Sequence, residues 1–197
     1  MAAVLEHLEP EDAAPVARVL LSAGFTRIEI SVDSSSPFAS ASVIASIVRE
    51  RAVVGIGSVT ETSDVRRARD AGCAFVSTLG VHDAVARAAV RAKIGLQSAA
   101  FTTTECLQAV NDGADTLVLF PAFVLGPEGV GMIKHAVPAS VRIMVAGGVG
   151  PGNFSTWIPA GVHGFVLGPS IYIRGWPSNR VAEAALQAAN ARARCLL

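Results

Sequence analysis

Short apolar runs recur along the chain, most of them closed by glycine, proline or an acid and each followed by a longer stretch with helical spacing. Runs at residues 2–5, 26–31, 53–57, 75–77, 94–99, 116–120, 142–146 and 164–167 read as strands. The clearest is Asp115-Thr116-Leu117-Val118-Leu119-Phe120-Pro121, apolar at successive positions, as in a strand covered on both faces. Between the runs, helices are expected from Pro10 to a stop at Gly24, and at 40–51, 63–71, 82–92, 103–112, 128–137, 153–160 and 178–193. Pro10-Glu11-Asp12 is a good helix start, and Pro15 fits that helix only if it falls within the first turn. Thr102-Thr103-Thr104-Glu105 offers N-terminal caps. Eight strand–helix units in strict alternation predict a parallel sheet, and their number favours an α/β fold of the closed (β/α)8 TIM-barrel type over an open sheet.

Length and composition narrow the reading without changing it. The 197 residues are expected to form one domain, 1–197, short for a barrel. Hydrophobic residues make up 51% and charged residues 16%, which suits strands under a helical shell. Zero formal net charge favours neither nucleic acid nor an anionic membrane as partner. No apolar run is long enough to span a bilayer, and the first ten residues carry Glu6 and Glu9 and no cationic segment of a signal peptide. Cys73, Cys106 and Cys195 are odd in number and widely spaced, so they read as reduced thiols in a cytoplasmic protein.

A barrel of this type takes its ligand at the C-terminal ends of its strands. Those ends are Glu6-His7, Glu29 to Asp33, Gly55 to Ser58, Ser77-Thr78, Ser98-Ala99, Phe120-Pro121, Gly147-Gly148 and Gly168-Pro169. Glycines after the last two strands let backbone amides approach an anion, so Gly147, Gly148, Gly168 and Ser170 are candidate phosphate contacts; tight turns would also require glycine. Ser58, Thr78, Ser98 and Phe120 are candidate substrate contacts. In Arg27-Ile28-Glu29-Ile30-Ser31 the period of two turns Glu29 into the barrel, either as a general base or as the partner of Arg27 or another cation. Glu6 lies on the neighbouring strand's end, so either a carboxyl there holds a proton or a cation joins Glu6 and Glu29, with His7 or Asp33 as further metal ligands. The histidines form no Ser–His–acid set with these residues: His82 reads as a helix start, His135 and His163 as helix and loop positions.

Several stretches together resemble the bacterial 2-keto-3-deoxy-6-phosphogluconate and 6-phosphogalactonate aldolases. They are Ile28-Glu29-Ile30, Ser36-Pro37, Val54-Gly55-Ile56-Gly57-Ser58-Val59, Phe75-Val76-Ser77-Thr78, Thr102-Thr103-Thr104-Glu105, Phe120-Pro121, Gly126-Pro127, Gly147-Gly148-Val149, Pro151 with Asn153, Trp157-Ile158, and Leu167-Gly168 with Tyr172. The resemblance implies a homotrimeric (β/α)8 barrel that cleaves a 2-keto-3-deoxy-6-phosphosugar acid to pyruvate and glyceraldehyde 3-phosphate. It implies no metal or other cofactor: a lysine condenses with the keto group and the glutamate matching Glu29 moves protons. The lysine's position is Val118 here, and the only lysines are Lys93 and Lys134. The family's Leu-Arg-Gly after strand one reads Leu5-Glu6-His7, its Pro-Gly after strand five Ser98-Ala99, its proline after Thr78 is Leu79, and its Gly-Ser phosphate turn Gly168-Pro169. Losing a covalent nucleophile costs on the order of 6 kcal/mol of barrier or more. The expectation is therefore a phosphosugar-binding barrel with Schiff-base catalysis lost or altered. The alternatives are a metal-assisted lyase or isomerase using Glu6 and Glu29, and a non-catalytic phosphosugar binder.

Overall fold

The structure, a computed structural model, describes residues 1–195. Its strands are β1 (Ala2–Leu5), β2 (Arg27–Ser31), β3 (Val53–Gly57), β4 (Phe75–Thr78), β5 (Gly95–Ala100), β6 (Thr116–Leu119), β7 (Arg142–Val145) and β8 (Gly164–Leu167). They pair in parallel in chain order, and β8 returns to β1 to close the barrel. The helices are α1 (Pro10–Ser22), α2 (Pro37–Val48), α3 (Thr62–Asp70), α4 (Asp83–Ala92), α5 (Thr103–Asn111), α6 (Ala122–Ala136), α7 (Phe154–Trp157) and α8 (Ser178–Arg194). The (β/α)8 expectation therefore holds for the described residues; Leu196 and Leu197 of the expected domain lie outside them.

Alternation along each strand divides the apolar side chains into two populations. Leu5, Ile28, Ile30, Ile56, Leu117, Leu119 and Ile143 face the helices and are fully buried with Leu20 and Ile44 in the main core. Ala2, Val118, Met144 and Val166 point the other way and make a small second cluster inside the barrel, with Val4 and Ala146 against it. The register Ala99↔Val118↔Met144 fixes which residues of β5, β6 and β7 share that interior.

Helix limits differ from expectation where proline or glycine made the local signal ambiguous. Proline at a helix start is preorganised, and α2 accordingly begins at Pro37, three residues early. Pro15 lies inside α1, beyond its first turn. Its ring is on the exposed face, where water can serve the carbonyl whose amide partner proline removes. The sixth helix begins at Ala122, not 128, and breaks at Gly126, whose φ of 67° and ψ of 167° no helix contains. The stretch expected as a helix at 153–160 is one short turn, α7, followed by 3-10 geometry over Ile158–Ala160. At α5 the capping box forms: Thr102 Oγ1 accepts from Glu105 N at 3.2 Å, and Glu105 Oε2 accepts from Thr102 N at 2.8 Å, together worth about 1 kcal/mol. No helix among the described residues is long and apolar enough to cross a membrane.

Candidate active site

At the C-terminal end of the barrel lies a cavity of about 210 Å³. Its walls differ in chemistry. One is polar, built from Glu29 on β2, Ser58 after β3, Ser77 and Thr78 on β4 and Gln97 on β5; the other is apolar, with Val4, Val118 and Val166 on β1, β6 and β8. Glu6, Phe120, Gly147 and Gly168 reach it from the loops above.

Glu29 is the most constrained of these groups. Its side chain is 6% exposed and lies across β3 at Gly57, where any Cβ would collide with the carboxyl. Gln97 Nε2 donates to Glu29 Oε2 at 2.9 Å, and Arg27 Nη2 reaches Gln97 Oε1 at 3.4 Å. Arg27 therefore stands behind Glu29 through an amide, not in a direct salt bridge with it. Its guanidinium stacks 4.0 Å over the Phe75 ring, and Gly55 beneath that ring has no room for a Cβ. Burial pushes the Glu29 carboxyl up to about 7, against hydrogen bonds from Ser77 and Gln97 and the charge of Arg27, all of which favour the ionised form. Such a carboxyl is poised to give or take a proton near neutral pH.

The other sequence candidates divide. Val118 is 6% exposed and lines the cavity from β6. Neither lysine is near this mouth: Lys93 caps the C-terminus of α4 ahead of β5, and Lys134 Nζ donates to Gly161 O at 2.6 Å in the turn before β8. Both lie at the barrel's opposite end. Ser58 lines the cavity in a left-handed conformation, φ 58°, and Thr78 lines it while its Oγ1 donates to Gly80 O at 2.6 Å. Phe120 lines it with 45% of its surface exposed. Ser98 does not belong there. The register Ser77↔Gln97 and Ala99↔Val118 turns Gln97 and Ala99 inward and Ser98 outward, where its hydroxyl meets Thr78 Oγ1 and Gly80 O. Gln97, missed in the sequence, takes its place; a lone amide in an otherwise small and apolar strand was the available signal.

Of the four candidate phosphate contacts, Gly147 and Gly168 line the cavity, while Gly148 and Ser170 are exposed outside its lining. Gly147 and Gly148 both have left-handed φ, 80° and 72°. Asn153 braces their loop, its Oδ1 accepting from Gly150 N at 2.9 Å and its Nδ2 donating to Gly148 O at 2.7 Å. Among the described residues, the amides of Gly147, Gly148, Gly168 and Ser170 find no backbone acceptor, which leaves donors at the mouth for an anion. A metal fits less well: no three His, Cys, Asp or Glu side chains among the described residues converge on one point, and Asp33 is engaged by the Ser31 hydroxyl at 3.2 Å.

The sequence and the fold have close counterparts in known proteins. A family model described as "Aldolase: KDPG and KHG aldolase" matches residues 1–176. The probable 2-dehydro-3-deoxy-6-phosphogalactonate aldolase of Rhizobium meliloti (strain 1021) is 35% identical over 184 residues, covering 93% of this chain and 87% of that protein. The 2-dehydro-3-deoxy-6-phosphogalactonate aldolase of Escherichia coli (strain K12) is 30% identical over 183 residues, covering 93% and 89%. A solved structure described as native KDPGal superposes with a TM-score of 0.94 at 29% identity, over 99% of this chain and 95% of that one. A cube-shaped cage designed by fusing symmetric oligomeric domains contains a match with the same TM-score and identity, over 99% of this chain and 72% of that one. In fold and along most of its length, this chain belongs to the KDPG and KHG aldolase family.

Proposed function

We propose that this protein is an aldolase-family barrel that binds a phosphorylated sugar-type ligand at its C-terminal mouth without forming a Schiff base. The ligand's phosphate meets the amides of the glycine turns after β7 and β8, and its carbon chain enters the cavity between Glu29 and Val118. The observation that carries this reading is the side chain of Val118, a hydrocarbon facing the cavity while both lysines sit at the other end of the barrel. Carbon–carbon cleavage next to a carbonyl needs an electron sink, and a lysine iminium is the one that requires no metal. What remains in the cavity is proton-transfer machinery. Glu29, held at about 7 with Gln97 and Ser77 as donors, supports a second reading in which the site moves protons on a bound phosphosugar without an imine.

Borohydride trapping distinguishes these readings from ordinary lysine-dependent lyase chemistry. Incubation with pyruvate and borohydride, beside an active family aldolase as positive control, is expected to leave the mass of this chain unchanged. A stable pyruvate adduct on Lys93 or Lys134 would overturn the proposal. The symmetric oligomeric domains of the designed cage and the exposed apolar side chains after β4 and at the start of α6 support an oligomer, for which the resemblance implies a homotrimer; the odd and widely spaced cysteines support a cytoplasmic location.

A further inference from the structure

Charge is distributed one-sidedly around the cavity. Two carboxyls, Glu6 and Glu29, line it, and among the described residues its lining includes no lysine, arginine or histidine. Arg27, the cation that acts on Glu29, is a layer lower, stacked on Phe75 and reaching the cavity only through Gln97. The polar wall presents hydroxyls and an amide, from Ser58, Ser77 and Gln97, and the facing wall presents the methyl groups of Val4, Val118 and Val166. Groups of this kind match a carbon chain with hydroxyls on one side and C–H bonds on the other. A carboxylate placed among them would be desolvated beside Glu29, near Glu6, with no cation to pair with.

From this distribution we propose that the end of the ligand away from its phosphate is an uncharged, hydroxylated carbon chain, so that the site takes a polyol or simple sugar phosphate and rejects sugar acids. The inference rests on the reading of the β7 and β8 turns as the phosphate site, and it sets this cavity apart from relatives whose names specify phosphorylated acids. Glu6 is its specificity-determining residue: exposed at the rim, it lines the cavity and repels an incoming carboxylate.

Glycerol 3-phosphate and 3-phosphoglycerate test it as a matched pair, since they share the phosphate and three carbons and differ by a hydroxymethyl against a carboxylate. In calorimetric titrations of the full chain at pH 7.5, the polyol is expected to bind at least ~10-fold more tightly. Glu6→Gln, an exposed and near-isosteric change, is expected to narrow that gap severalfold by improving the acid. Equal binding of the two, tighter binding of 3-phosphoglycerate, or a gap untouched by E6Q would overturn the inference while leaving the phosphate site in place. Inorganic phosphate is titrated alongside. If it binds and neither ester does, this inference alone falls; if none of the three binds, the phosphate reading falls and takes the inference with it.

Discussion

Replacing Glu29 with Gln removes one ionisable group at almost constant volume and so isolates the free energy stored in its burial. In the folded chain the carboxyl titrates at about 7, against an ordinary 4.5. Desolvation outweighs three opposing contributions, the hydrogen bonds from Ser77 and Gln97 and the field of Arg27. Between those two pH values the folded chain keeps a proton that the unfolded chain releases. Stability therefore is greatest, as far as this group is concerned, below 4.5, declines as pH rises through 7, and levels off above it. From 4.5 to about 7, at 1.36 kcal/mol per pH unit, the loss amounts to roughly 3 kcal/mol. For a chain of 197 residues that corresponds to roughly 6–12 °C in Tm. The assay is urea denaturation of wild type and E29Q at intervals from pH 4.5 to 8.5 at fixed ionic strength. Every other titrating group is common to both, so the difference between the two curves reports Glu29. The advantage of E29Q over wild type is expected to grow by about 3 kcal/mol across the window. A difference that stays flat with pH would mean that Glu29 titrates as an ordinary carboxyl, and the claim that it holds a proton near neutrality would fail.

Two further outcomes follow from the loop after β7 and from the apolar rim. Asn153→Ala deletes two hydrogen bonds that hold Gly148 and Gly150, so it is expected to cost about 1–2 kcal/mol of stability and to weaken inorganic phosphate binding severalfold in calorimetry; full affinity in a destabilised variant would remove this loop from the phosphate site. Leu79 in the loop after β4 and Phe123 and Val124 in the first turn of α6 are more than half exposed, and light scattering at micromolar concentration is expected to give three times the 20.3 kDa chain mass. A monomer would refute the trimer.

The barrel was legible because parallel strands buried on both faces are apolar nearly throughout, and most were punctuated by glycine, proline or an acid. Helix limits were less so. Helices expected from 40 and 128 begin earlier, α2 at Pro37 and α6 at Ala122, with Pro127 resuming the second after Gly126. Side-chain direction was readable for Glu29 because isoleucines flank it. It was lost in β5, where Ser98, Ala99 and Ala100 are all small and give no alternation to phase. Counting a single residue off exchanged Ser98 for Gln97, the residue that holds the carboxyl. The Arg27–Gln97 contact joins positions 70 apart, and no local pattern encodes it; only closure of the barrel brings them together.

The surroundings of Glu29 bear on what the substitution at Val118 means. Burial that makes a glutamate titrate at about 7 needs Gly57 to leave space for the carboxyl and costs about 3 kcal/mol of stability above neutral pH, after the donors Ser77 and Gln97 and the charge of Arg27 have reduced it. A barrel with no use for the proton could relax most of that cost by a Gln or Leu at position 29. On the second reading proposed above, the carboxyl keeps a role that does not depend on an imine. Without a lysine in the cavity, Glu29 has no iminium to draw electrons from a neighbouring carbon, and its reach is limited to protons on oxygen or on carbon beside a carbonyl polarised by the Ser58 or Ser77 hydroxyl. A phosphorylated sugar supplies both kinds. On the proposed reading, a glutamate kept near neutrality beside a valine moves protons on an intact sugar phosphate and does not break its carbon chain, and the borohydride experiment is what separates the two.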